Sequence, residues 1–129
     1  MATRSTIALE YADGTVGQIY CHWDGYLENN GQILRNDYSD PFKVRDLLDG
    51  GDTSSLDKHV SGCEFYSNRG EDCPQRMFKD INEYFADCQQ EEYDYILTRK
   101  EGWLVRCYAT DGGWVSILEA FEMETKENV

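Results

Sequence analysis

The pair Asp13-Gly14 sits between two runs of equal length, Thr6-Ile7-Ala8-Leu9-Glu10-Tyr11 and Val16-Gly17-Gln18-Ile19-Tyr20-Cys21, and constrains the fold more than any other feature of the chain. Asp-Gly is a favoured centre for a two-residue type I′ turn, so the runs are expected to form an antiparallel hairpin. With that turn, Leu9 pairs with Gln18, Ile7 with Tyr20, Ser5 with His22 and Arg4 with Trp23. Alternation then places Ile7, Leu9, Tyr11, Val16, Tyr20 and His22 on one face, and Arg4, Thr6, Ala8, Ile19, Cys21 and Trp23 on the other.

Beyond the hairpin the pattern becomes helical. Residues 28–38 read as a short helix or turn. Asp40 can cap a helix whose first position is Pro41, and Gly50-Gly51 ends it, with Val44, Leu47 and Leu48 as the buried stripe. Residues 51–74 read as a long loop. Pro74 is expected to open the longest helix, with Met77, Phe78, Ile81, Tyr84, Phe85 and Cys88 at helical spacing. From Tyr93 the period becomes two, and Tyr93, Tyr95, Leu97 and Trp103, Val105, Cys107 flank Arg99-Lys100-Glu101-Gly102 as a second hairpin. Trp114 to Phe121 suits a strand or a terminal helical turn, and Glu122 to Val129 is expected to fray. The order implies one α+β domain over 1–129, an antiparallel sheet of N- and C-terminal hairpins packed against two central helices on one face.

A chain of 129 residues can bury roughly two thirds of its unfolded surface without metals or disulfides. Its 25 acidic and 12 basic residues give a formal charge of -13, a field that repels phosphate backbones and anionic lipid. Direct nucleic-acid binding and membrane association are therefore disfavoured. The acid concentrates at Glu71, Asp72, Asp80, Glu83, Asp87, Glu91, Glu92 and Asp94, against only Arg76 and Lys79. This is either a solvated helix face or a surface offered to a partner. Five cysteines without framework spacing or a signal peptide suit a reducing cytosol, and no run approaches the roughly 20 apolar residues of a membrane helix.

Chemistry concentrates in Tyr20-Cys21-His22-Trp23-Asp24-Gly25-Tyr26. On a continuing strand His22 and Asp24 share a face, and Ser5 lies opposite His22, so a Ser5-His22-Asp24 hydrolase set is one reading. Mutual satisfaction at a strand end is the simpler one. His59, Cys63 and Cys73, with Cys21 or Cys88, could supply metal ligands, but the tight cysteine pair of structural zinc sites is missing, and no cofactor is expected. Arg4, Tyr20, His22, Asp24, Tyr26 and Arg69 are expected to form a mixed polar and aromatic pocket able to hold a nucleotide-like ligand by ring stacking and two guanidiniums. Trp103 and Trp114 read as core, whereas Tyr26 and Tyr38 fall in turns and read as exposed contact residues.

Arg4-Ser5-Thr6-Ile7, Asp13-Gly14-Thr15-Val16, Tyr20 to Tyr26, Gly51-Asp52-Thr53-Ser54-Ser55-Leu56, Arg69-Gly70-Glu71-Asp72 and Glu92-Tyr93-Asp94-Tyr95 recur in this order in a family that the chain resembles over most of its length. The family comprises small proteins of tailed bacteriophages that are also scattered through bacterial genomes. The resemblance implies a phage setting, hence the host cytoplasm, and no catalytic residues. Cys63, Cys73 and the acidic helix surface lie outside its pattern. The expected function is non-enzymatic binding that modulates a host protein or defence pathway, with Glu83, Asp87, Glu91 and Glu92 steering the partner and Tyr26 and Tyr38 supplying affinity. The alternative is a small-ligand binder or nucleotide sponge; a homo-oligomer is compatible with either.

Overall fold

In the computed structural model, which describes residues 2–127, the two N-terminal runs form β1 (Ser5–Glu10) and β2 (Val16–Cys21), paired antiparallel. The register differs by one residue from the two-residue-turn expectation: Ser5 faces Cys21, Ile7 faces Ile19 and Leu9 faces Gly17. The loop contains three residues. Gly14 N donates to Tyr11 O at 2.9 Å, Tyr11 N donates to Thr15 O at 2.8 Å, and Gly14 adopts φ +90°, the geometry of a type I turn closed by a left-handed residue. Asp13 fixes this loop by accepting from both Thr15 N and Thr15 Oγ1. A one-residue shift reverses one strand's faces against the other's. Ile19 and Cys21 thereby join Ile7 and Leu9 in the main core, and Val16 lies with Ala8 on the opposite face.

Six further strands complete the sheet: β3 (Thr53–Ser55), β4 (Glu64–Phe65), β5 (Arg76–Phe78), β6 (Tyr93–Thr98), β7 (Gly102–Cys107) and β8 (Val115–Ser116). The order is β4-β3-β2-β1-β6-β7-β8, with β5 also paired to β2. The β6–β7 hairpin appears as expected, and β6 docks parallel to β1, making the sheet mixed but mostly antiparallel. The fold is α+β.

Helices cover both faces of the sheet. Below it, α1 (Gln32–Asp37), α2 (Pro41–Asp49) and α4 (Ile117–Glu127) bury Leu34, Val44, Leu47, Leu48, Ile117 and Ala120 against Ile7, Ile19, Tyr95 and Val105. Asp40 caps α2 by accepting from Phe42 N, as the sequence implies. Above it, α3 (Ile81–Asp87) places Tyr84 on Ala8, Val16, Ile96 and Leu104. The helix expected from Pro74 is therefore shorter: residues 76–78 instead satisfy their backbone on β2, and Asp80 starts α3 by accepting from Glu83 N. The longest helix is α4, preceded by the short strand β8. It carries through Glu122, where fraying is expected; Asn128 and Val129 lie outside the described residues. Among those residues no helix is long and apolar enough to cross a membrane.

Candidate functional site

The central strands share one end. Cys21, Ser5, Tyr93 and Cys107 form a cross-strand row on β2, β1, β6 and β7, so the residues just beyond it, His22, Arg4, Glu92 and Tyr108, gather across three strand spacings, roughly 14 Å. Two sets that are distant in sequence, the Tyr20–Tyr26 motif and the acids at 91–92, thus meet at one edge.

The motif leaves the sheet along β3: His22 N donates to Thr53 O and Trp23 N to Ser54 O. Asp24 then turns with φ +58°, and its carbonyl accepts from Asn30 N. Gly25 is pinned at both ends, its N donating to Thr3 O and its carbonyl accepting from the buried Tyr95 hydroxyl at 2.7 Å. Leu27–Gly31 follow as one wide helical turn leading into α1, which positions the exposed Tyr26 and Glu28 at the same end of the sheet. Much of the motif is therefore a fold anchor. Asn30 Nδ2 bridges Ser5 Oγ and Cys21 Sγ beneath it.

Among the described residues, no hydrogen bond joins Ser5, His22 and Asp24 into one set. Ser5 is buried opposite Cys21, the His22 ring meets Tyr20 Oη through Nδ1 at 2.7 Å, and Asp24 is carried off by the turn. Of the residues expected in a ligand pocket, some are neighbours. Arg4 lies beside Tyr20, whose hydroxyl is shifted up by burial, with Arg4 opposing the shift. Tyr66, which the sequence reading missed, also neighbours Tyr20 and carries Arg69 over its ring at 5.4 Å. Arg69 is itself paired with Glu64 at 3.4 Å on the exposed surface.

A cleft of about 430 Å³ opens beside this set, lined by Glu91, Glu92, Tyr93, Asp94, Arg106 and Tyr108 among others. Its floor is an ion pair: Arg106 Nη2 donates to Asp94 Oδ2 at 3.1 Å, and Asp94 also accepts from Thr6 Oγ1 and Glu91 N. Burial is the largest influence on Asp94 and shifts its carboxyl up, against the pull of those donors. Arg106 stacks over Trp114 at 4.7 Å; Trp114, expected as core, is partly buried and packs against the α3-side core. Gln18 holds the connecting segment down by bonding both backbone groups of Gln89. On the other side of the row, Tyr93 Oη donates to Glu124, and Glu28 lies near enough to push the Tyr93 hydroxyl up further, behind burial and Glu124.

The remaining expectations divide. Tyr38, expected as an exposed contact residue, is fully buried: α1 turns its ring inward, its hydroxyl donates to Asp57 O at 2.7 Å, and its carbonyl accepts from Trp103 Nε1. Tyr38→Phe is accordingly expected to cost about 1 kcal/mol in urea denaturation and to leave surface properties unchanged. Glu83 and Asp87 lie on α3 and do not line this cleft, although Cys88, which follows Asp87, reaches Arg106 at 3.6 Å. His59 is exposed while Cys63 is buried against Tyr38 and Asp57, and among the described residues no group of three or more His, Cys, Asp or Glu is arranged to hold a metal.

Tyr108, 91% exposed, is the residue sequence reasoning missed most clearly. It follows the Trp103, Val105, Cys107 alternation by one position, where the strand gives way to the turn Tyr108–Thr110 and the side chain faces solvent. Exposed Trp23 joins it at the same end of the sheet. No protein-family model matches the chain, and neither a curated protein nor a solved structure matches it.

Proposed function

We propose that this chain is a non-enzymatic binding protein that captures a partner protein through the acidic and aromatic end of its sheet, the partner being a host or host-defence protein in the phage setting its sequence resemblance implies. The observation that carries this reading is the exposure of Trp23, Tyr26 and Tyr108 around one strand end that also bears Glu28, Glu91 and Glu92. Exposed aromatics supply contact area at little entropic cost, and surrounding carboxylates steer a basic partner into register. The acids of α3, Glu83 and Asp87, are not among the residues lining the cleft at this end.

The test is capture from host lysate followed by affinity measurement on the purified, identified partner. A variant carrying Glu28→Lys, Glu92→Lys and Tyr108→Ser is expected to lose at least about a hundredfold in affinity, and binding by the wild type is expected to weaken with added salt. Glu83→Lys with Asp87→Lys is the control, expected to change affinity less than about threefold. Equal affinity in both variants would discard this surface. A nucleotide-like ligand is the second reading, favoured by the meeting of Arg4, Tyr20 and His22. Native mass spectrometry of protein from infected cells separates the two, since a bound nucleotide lost in His22→Ala would transfer the function to that reading.

A further inference from the structure

A second cleft lies at the opposite end of the sheet, where β1 and β6 end, and has a volume of about 310 Å³. That is at the small end of the range for ligand clefts. Leu9, Tyr11, Pro41, Phe42 and Leu97 give it apolar walls, and Arg45 and Arg99 stand in its lining. Phe42 is 67% exposed, a large apolar ring left uncovered beside the opening.

The lining brings together two arginines that form no ion pair among the described residues. With 25 acidic residues against 12 basic ones, a guanidinium on this chain has carboxylates in excess to pair with. Arg45 has one within reach along its own helix, because Asp49 follows at the four-residue spacing of helical ion pairs. Arg45 instead lies over the Phe42 ring at 5.2 Å, and among the described residues it has neither an ion pair nor a hydrogen bond. Arg99 uses Nη1 on the Ala12 carbonyl and likewise has no ion pair. Glu10, the carboxylate in the same lining, accepts from Arg99 N. The capping Asp40 already occupies the start of α2, so helix backbone amides are not what the cleft offers an anion.

We propose that this cleft binds a small amphipathic carboxylate, with its hydrocarbon against Leu9, Phe42 and Leu97 and its carboxylate between Arg45 and Arg99. Apolar walls with a few convergent polar groups are the general form of a ligand site, and guanidinium pairs with carboxylate in a fixed, bidentate geometry. Binding covers Phe42 and gives Arg45 the anion it lacks within the fold. The site is separate from the acidic and aromatic end and does not depend on it.

The probes are sodium hexanoate, octanoate and decanoate, with octanol as the uncharged match, titrated into isotope-labelled protein below their aggregation limits and followed by amide shifts. Saturable shifts at residues 9–12, 42–45 and 97–99, with affinity rising along the alkanoate series, are expected. Arg45→Gln combined with Arg99→Gln should weaken octanoate about tenfold and leave octanol unchanged. Arg99 bonds Glu10 through its main-chain N, so that variant keeps the contact between the two hairpins. Arg35→Gln, on α1, removes a positive charge elsewhere and should leave octanoate affinity as it is. Phe42→Ser should weaken both octanoate and octanol. Absence of saturable shifts in this region overturns the proposal, as does octanoate binding that the arginine variant leaves intact.

Discussion

Arg106→Met is expected to remove about 3–5 kcal/mol of stability at neutral pH, the range found when one partner of a buried ion pair is deleted. The residue left behind, Asp94, is 1% exposed, so its carboxylate cannot recover the lost donor from bulk water. Thr6 Oγ1 and Glu91 N remain as donors, which is why the loss is set near this range and not above it. Methionine keeps an unbranched apolar side chain at this position but gives up the guanidinium stacked over Trp114, so the loss includes that contact as well as the ion pair. The pH dependence follows from the direction of the Asp94 shift. Burial, the largest influence, holds this carboxyl above its ordinary value of 3.8, so the folded protein takes up the proton before the unfolded chain does. Stability tied to Asp94 therefore rises as pH falls through its folded value and levels off below its unfolded one. Removing Arg106 widens that window, and the deficit of the variant should shrink on mild acidification. Urea denaturation at neutral and mildly acidic pH checks both statements, and adding Asp94→Asn should bring the variant back toward wild type. A loss below about 1 kcal/mol at neutral pH would mean that water reaches Asp94.

The same pair shows where the sequence was legible and where it was not. Strand and helix identity followed from period: β6 and β7 from the two-residue alternation, α2 from Asp40-Pro41, Gly50-Gly51 and the stripe between them. Each is a local signal, and each is satisfied locally. The first hairpin was legible as a hairpin but not in register, because Asp13-Gly14 serves both two- and three-residue loops and the choice rests on Asp13 reaching Thr15. The segment after Pro74 carried a helical period that tertiary pairing overrode at Arg76–Phe78. Asp94 looked like one more surface acid, since nothing local says that β6 docks parallel to β1 and sets it between Thr6 and Arg106. Which residues share the candidate site depends on strand order and helix packing. Arg4, His22 and Glu92 were named separately, yet only strand order brings them to one edge with Tyr108, while Tyr38 was lost to the core because a turn residue's exposure depends on which way its helix packs.

Gly51→Ala and Gly70→Ala are expected to differ sharply although the two glycines share a backbone conformation, φ +81° and +82°. An L-residue in the left-handed region costs about 1–2 kcal/mol, and both variants incur that. A Cβ at Gly70 meets nothing within 4 Å, so its loss should stop there. A Cβ at Gly51 would overlap the Cys73 carbonyl, a backbone atom that cannot rotate away. That carbonyl accepts from Asp52 N at 2.8 Å, and Asp52 Oδ1 in turn accepts from Tyr20 N at 2.8 Å and pairs with Arg76 at 3.4 Å. Moving Cys73 to admit the methyl therefore strains the contact that ties the segment after α2 to β2. The cost of Gly51→Ala should reach about 3 kcal/mol or more. Amide shifts should spread to Tyr20 and Tyr66, because Asp52 O also accepts from Tyr66 N. Denaturation of both variants beside the wild type decides the matter. Equal losses would place the whole effect in backbone conformation and remove the clamp through Asp52 from the account of how this end of the sheet is built.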